Sequence, residues 1–294
     1  MDHHYCPCFY TKQWTNINGK LVHYTIVNDK VFFRYVAPRG TGYETDLYAK
    51  KNTPEHDKHT IETGCYKNID NDAAKVFQKI IKHGLSKLTE IEKTAWCRFI
   101  VSMMTRHPSI LRNAKAMEED VIDRQAKLFP TDQQAYYQIR YKNEIEYWKN
   151  NAAVETLANM STFQSKYALG ICERYAETLL KLTWWIEDFS KTSFALLTSD
   201  YPVAISPLNQ PARKFSKPTE MLLSGDYLLS LPLTPQLCFY AATTKIKILS
   251  NSNQVIKSQN NLTVLKARNF VYACDTSQDS FIKKRLQLKI KPTS

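Results

Sequence analysis

The stretch Leu21-Val22-His23-Tyr24-Thr25-Ile26-Val27-Asn28-Asp29-Lys30-Val31-Phe32-Phe33-Arg34-Tyr35-Val36 decides the fold class of this chain. Its β-branched and aromatic residues suit a pleated, half-buried ribbon, and Asn28-Asp29-Lys30 supplies turn chemistry between the two halves. A β-hairpin is predicted here. Residues 38–50 then read as a loop opened by Pro38 and Gly40, with Gly42 giving further backbone freedom, and residues 51–60 as an exposed polar stretch.

The period changes in the centre. Ala73, Ala74, Phe77, Ile80 and Ile81 share one face of a helix over 71–84, with Gly84 as its C-terminal stop. Thr89 precedes Glu92 by three residues, a capping box, and opens a helix that carries Trp96, Phe99, Ile100, Met103 and Met104 until Pro108 ends it. Residues 113–128 and 133–149 predict two more helices, and 152–188 one or two long ones with Gly170 as the weak point. Beyond these the reading is β again: short strands at 193–198, 227–233, 237–243, 245–249 and 269–274, a proline-bearing loop at 206–220, and a helix at 252–267. The tail Leu286-x-Leu288-x-Ile290, flanked by lysines, predicts an edge strand guarded by charge. Strands at both ends with helices between them give an α+β fold: a mixed or antiparallel sheet built from the N-terminal and C-terminal thirds, covered by a central helical bundle. The expected organisation is one domain over 1–294, β-rich at 1–50, helical at 70–190 and β-rich at 193–294.

Composition excludes several classes. The chain has 294 residues, and 17 Tyr, 13 Phe and 5 Trp supply too much buriable surface for a disordered protein. Only 7 Gly are present, and neither GxGxxG nor GxxxxGK[ST] occurs, so Gly-rich nucleotide loops have no support. No window approaches the ~18 apolar residues of a membrane span. The 7 Cys are scattered, and the Met1-Asp2-His3-His4 start lacks the basic and apolar regions of a secretory signal. A cytoplasmic location with free thiols is expected. Net charge is +12, yet residues 201–294 alone hold 13 basic and 4 acidic residues. That bias would attract a phosphate polymer, RNA or DNA, although a lysine-rich solvated surface explains it as well.

Polar residues that could carry chemistry lie at four places. His3-His4-Tyr5-Cys6-Pro7-Cys8 has the residue types of a zinc site but not the spacing: adjacent histidines on an extended chain point to opposite faces, and C-x-C is tighter than structural zinc motifs use. A neutral His working as acid or base is the functional reading, and a His bonded to backbone the structural one. Arg106 ends an apolar helical stripe, where it serves as an anion clamp, as the partner of a carboxylate, or as a rim residue reaching water. Asp200 sits on a strand end before Tyr201-Pro202, a rigid corner suited to a catalytic or metal-binding carboxylate or to a simple Asx turn. Glu44 and Asp46 would share a face if extended and could hold a divalent cation, with Glu62 a weaker further acid. No GxSxG, HExxH or kinase motif is present.

Taken in order, His3-His4-Tyr5-x-Pro7-x-Phe9-Tyr10, Gly19-Lys20-Leu21, Tyr43-Glu44-x-Asp46-x-Tyr48, Phe99-Ile100 with Arg106-x-Pro108, Leu197-Thr198-Ser199-Asp200-x-Pro202-Val203 and Pro232-Leu233-Thr234-Pro235 resemble the bacterial domain-of-unknown-function family 4238 over roughly residues 3–275. Cys6 and Cys8 depart from the pattern. The resemblance implies a one-domain cytoplasmic protein and no particular reaction; phage defence or toxicity follows by analogy only. It implies that His3 or His4, Glu44, Arg106 and Asp200 form one polar site. The first reading is a metal-dependent nuclease or other phosphodiester hydrolase. His4 or His3 would be general acid or base, Glu44 and Asp200 would hold Mg²⁺ or Mn²⁺ or activate water, and Arg106 would stabilise phosphate charge. The alternative is a non-catalytic nucleic-acid or protein binding module in which the same residues form a structural network. A protein partner encoded nearby is a third option.

Overall fold

The computed structural model describes residues 1–49, 54–59, 61–112, 175–208 and 227–290. The hairpin forms as predicted: β2 (Leu21–Val27) pairs with β3 (Lys30–Val36) in the register Leu21↔Val36 to Val27↔Lys30. Asn28 and Asp29 both take positive φ, 47° and 57°, the conformation that a two-residue hairpin turn needs to match strand twist. The sheet grows by long-range pairing. β2 also pairs antiparallel with β10 (Phe270–Ala273), and β10 with β6 (Thr198–Ser199), giving the order β3-β2-β10-β6.

One sheet from both ends is thus present, but it is not the whole β structure. β5 (Thr183–Asp188), β7 (Ala204–Pro207), β8 (Tyr227–Pro232) and β9 (Leu237–Ala242) form a second antiparallel sheet in the order β5-β9-β8-β7. β5 replaces the end of the helix expected at 152–188; Thr183-Trp184-Trp185-Ile186 is β-branched and aromatic, and its alternation serves two cores. Trp184 and Ile186 pack on the main core with Leu229, Leu231, Phe239 and Ala241, while Trp185, Cys238, Tyr240 and Ala242 face the other way.

Beyond the single turns α1 (Cys8–Thr11) and α2 (Glu55–Lys58), longer helices cover both faces. α3 (Lys67–His83) ends at Gly84, φ +74°, and α4 (Glu90–Thr105) starts at the predicted capping box, with Glu92 N–H donating to Thr89 Oγ1 and Thr89 N–H to Glu92 Oε2. Phe77, Trp96 and Phe99 bury against the inner face of the second sheet. A π-helical turn, Ile61–Tyr66, leads into α3. On the opposite side α5 (Asn253–Lys266) and α6 (Asp279–Ile290) pack together. α5 supplies Ile256 to the outer face of the second sheet, and Val264, Ile282 and Leu286 cover Val22, Tyr24, Val271 and Ala273 of the first.

α6 corrects the edge strand expected at the tail. Leu286, Leu288 and Ile290 fit alternation, but the buried pair is Ile282 and Leu286, four apart, while Leu288 is half exposed. Asp279 and Lys283, also four apart, add an ion pair at 2.9 Å. Residues 193–197 and 245–249 are not strands either. Leu196 and Leu197 instead give their N–H groups to Pro235 O and to the Asn260 side chain. The helices expected at 113–128, 133–149 and 152–174, and the loop beyond residue 208, lie outside the described residues. Among the described residues, no helix is long and apolar enough to cross a membrane.

Candidate functional site

The N-terminal arm is the frame of the site. β1 (Asp2–His4) pairs antiparallel with β4 (Tyr43–Thr45), a strand inside the segment read as loop, setting His3 opposite Glu44 and His4 opposite Tyr43. Gly42 fixes the arm's next step. Its carbonyl accepts from both Tyr5 N–H (2.9 Å) and Cys6 N–H (3.0 Å), and at φ +67° a Cβ there would lie 2.7 Å from Cys6 Cβ.

Period-two alternation sends the two histidines apart, as expected. His3 is fully buried, whereas His4 turns outward beside Tyr43 and Arg39. His3 Nδ1 accepts from Tyr48 N–H at 2.8 Å, so its proton sits on Nε2. That nitrogen lies 3.0 Å from His59 Nδ1 and donates to it. His59 therefore carries its own proton on Nε2, 3.9 Å from Asp46 Oδ1 and 3.7 Å from Glu55 Oε1. One backbone N–H thus dictates the tautomers of two rings. Burial, and then the neighbouring His59, lower the His3 pKa to about 4, so the ring is neutral at pH 7. Asp46, at φ 57°, leaves the extended conformation just after Thr45 and does not share a face with Glu44. It meets the Met1 amine at 2.8 Å and Lys58 at 3.5 Å. His3, Asp46 and His59 each bring one ligating atom within 4.8 Å of the others.

Arg106 caps the C-terminal end of α4 and is fully buried. Nε donates to Tyr5 O (3.0 Å), Nη1 to Asp70 Oδ1 (2.9 Å), and the guanidinium lies 5.7 Å from the Tyr66 ring centre. Its pKa is raised because Asp70 outweighs the effect of burial. Burial raises Asp70 against the pull of Arg106. Glu62 is pushed up to about 7 by burial, with Arg106 opposing, and its Oε2 has no partner among the described residues. Tyr48 links Arg106 to His3: its hydroxyl donates to Arg106 O (2.9 Å) while its ring stacks on His3.

Asp200 is equally enclosed. Arg268 N–H donates to Oδ1 (2.9 Å), and Asn269 N–H (2.8 Å) and His107 Nε2 (3.2 Å) meet Oδ2. Ser109 N–H donates to His107 Nδ1, which leaves the ring proton on Nε2, facing Asp200. Tyr5 closes the circuit with its ring edge-on to His107 at 4.7 Å. Glu44 stands outside, paired with Arg112 at 2.6 Å on the surface.

The predicted residues therefore divide. His3, Arg106 and Asp200 meet in one buried network through Tyr5 and Tyr48; His4 and Glu44 remain on its outer side. Asp200 faces three N–H donors and Glu44 a guanidinium, so both carboxylates proposed for a metal are engaged with protein groups. His59, His107 and Asp70 are new to the site, and Tyr48 stands in the sequence reading only as a residue of the resemblance. His59 lies in the stretch read as exposed, and only the Arg106-His107-Pro108 sequence hinted at His107.

A second feature is a groove of about 550 Å³ between α5 and α6, lined by Phe194, Lys257, Asn261, Phe281 and Arg285 among others. No curated protein and no solved structure matches the chain. A family model described as "Protein of unknown function (DUF4238)" matches residues 2–277, nearly the whole length, and the chain belongs to that family.

Proposed function

We propose that the chain is a non-catalytic, nucleic-acid-binding module whose motif residues form a structural network. One observation carries the reading: the charged groups of Arg106 and Asp200, with side-chain exposures of 0%, are turned onto protein partners. A group that must reach a substrate is held with free valences toward a cleft; these spend theirs on Tyr5, Asp70, His107 and the backbone of residues 268 and 269. The nucleic-acid part rests on the charge of the last third, 13 basic against 4 acidic residues.

A metal-dependent phosphodiester hydrolase is the second reading, favoured by the clustering of His3, Asp46 and His59. Asp46 and His59 are partly exposed, so a divalent ion has access. The donor set, two imidazoles and a carboxylate, suits Mn²⁺ or Zn²⁺ better than Mg²⁺. The cost lies in the tautomers. Ligation through His3 Nε2 needs that nitrogen bare and the proton on Nδ1, where the Tyr48 N–H already points. A metal therefore has to displace a 2.8 Å backbone hydrogen bond. In this reading cleavage of RNA or DNA would fit a toxin or phage-defence effector.

One experiment separates the two. Labelled RNA and DNA are incubated with the full chain in EDTA, Mg²⁺, Mn²⁺ and Zn²⁺, and both retention and cleavage are read. Retention with intact polymer under every condition is expected. Metal-dependent cleavage that His59→Ala abolishes would replace the first reading by the second.

A further inference from the structure

We propose that the groove between α5 and α6 binds single-stranded nucleic acid. The inference deepens, and rests on, the nucleic-acid reading above, which names no surface. Three observations place the site here. First, the cations at its edge sit over aromatic rings: Lys257 Nζ lies 4.5 Å from the Phe194 ring centre and the Arg285 guanidinium 5.5 Å from that of Phe281. Second, Asn261 lines the groove, and its Oδ1 is buried with no hydrogen-bond partner among the described residues. Third, among the described residues no acidic one lines it; Asp279, at the start of α6, is paired with Lys283 at 2.9 Å.

Each observation matches one part of a single strand. Phosphates require cations, and Lys257 and Arg285 stand on the two facing helices, so a backbone laid along the groove meets charge from both walls. Bases that are not paired offer π-faces to aromatic and guanidinium groups, and the contact tolerates any sequence. An unpaired amide oxygen accepts from an exocyclic amine, a group that a base presents and a bare phosphate or a lipid phosphate does not. A duplex keeps its bases stacked inside and cannot use Phe194 or Phe281. The groove's volume suits one or two nucleotides rather than an extended helix.

Lys257 and Arg285 do not belong to the network of Arg106 and Asp200, so their substitution tests the groove alone. Fluorescence anisotropy is measured for labelled oligoadenylate and oligodeoxycytidylate of roughly a dozen nucleotides, whose bases carry exocyclic amines, the same strands as duplexes, and anionic phosphatidylserine vesicles. Salt is varied from about 50 to about 200 mM. The single strands are expected to bind more tightly than duplex or vesicles. Lys257→Gln with Arg285→Gln is expected to weaken binding about tenfold or more and to lower the salt slope by about 1.4, the value for two phosphate contacts on a single strand. Asn261→Leu should weaken binding without changing the slope. Lys75→Gln, on the exposed face of α3, should leave binding unchanged.

Binding by the wild type that the double variant retains overturns the groove while leaving the nucleic-acid reading in place. Equal affinity for duplex, or a preference for vesicles, also overturns it. Absence of binding to any nucleic acid overturns both. Matching circular dichroism spectra for each variant exclude misfolding as the cause.

Discussion

Asp200→Ala is expected to destabilise the fold by at least about 3 kcal/mol, because one buried carboxylate accepts three hydrogen bonds. The magnitude follows from what is left behind. Two backbone N–H groups, at Arg268 and Asn269, lose acceptors at 2.9 and 2.8 Å, and His107 Nε2–H loses one at 3.2 Å. Each hydrogen bond to a charged group is worth about 1.5–3 kcal/mol; residues 268 and 269 are exposed, so water partly re-solvates their N–H groups and holds the total toward the lower end. Asp200→Asn keeps one oxygen but points an NH₂ at a donor, so it should recover less than half of the loss. Urea denaturation followed by tryptophan fluorescence measures this, with the slope checked for constancy between variants. His107→Ala completes a cycle with Asp200→Ala; a coupling of about 1–3 kcal/mol is expected for groups in direct contact. A loss below about 1 kcal/mol for Asp200→Ala, with nucleic-acid cleavage changed instead, would refute the structural role and return Asp200 to catalysis.

Two further predictions concern the same region. Gly42→Ala should cost about 2–4 kcal/mol: it combines a positive φ of 67° with a Cβ placed 2.7 Å from Cys6 Cβ, and its carbonyl holds two arm N–H groups. The readout is the urea midpoint; a shift under about 0.5 kcal/mol means the arm is not held there. The pH dependence has two opposed parts. His3 has a folded pKa near 4 against an ordinary 6.5, so the unfolded chain takes its proton first, and stability falls as pH drops from 6.5 to about 4. Glu62 has a folded pKa near 7 against 4.5, so the folded chain keeps its proton longer, and stability falls as pH rises from 4.5 to about 7. Each has a ceiling of about 3 kcal/mol, less for Glu62 because it is partly exposed. Glu62→Gln should raise stability at pH 7.5 and leave it unchanged at pH 4, while His3→Gln should flatten the acid limb. Parallel pH profiles for wild type and Glu62→Gln would contradict the assignment.

What could be read from the sequence was local. The hairpin, the Thr89–Glu92 box, the Gly84 stop and helix α5 depend on residues a few positions apart, and all form. The opposite facing of His3 and His4 also followed from strand period, but not which one turns inward; that is decided by β1 pairing with Tyr43–Thr45 some forty residues away. α6 failed as a strand because Leu286, Leu288 and Ile290 fit both periods until Ile282 is known to be buried. His59 was hidden in a polar stretch, since only the register of β1 on β4 brings His3 to it. Asp70 shows the same limit: an acid on a helix start reads as solvated until Arg106, 36 residues later, is seen to be buried.

The arm ties together the segments on which the resemblance rests. A three-residue strand such as β1 has little stability of its own, so each part of residues 3–14 is tied to a different distant segment. His3 binds Tyr48 and His59, Tyr5 binds Arg106 and His107, Tyr10 reaches Thr198 and Pro232, and the Trp14 indole donates to Leu196 O. Apart from His59 and Leu196, those partners lie in the segments of the resemblance: the loop after the hairpin, the end of α4, the strand end at Asp200 and the corner at the end of β8. Polar groups meet the arm there because an irregular arm crossing a core exposes backbone groups that need partners. A set of His, Arg and Asp can therefore be drawn together in this chain without a reaction to perform. The groove follows another logic. Residues 2–277 match the family, so Lys257 and Asn261 fall inside the match while Phe281 and Arg285 fall beyond it. Half of the proposed binding wall thus comes from a helix outside the matched residues, so if the groove binds nucleic acid, membership of the family does not by itself predict it.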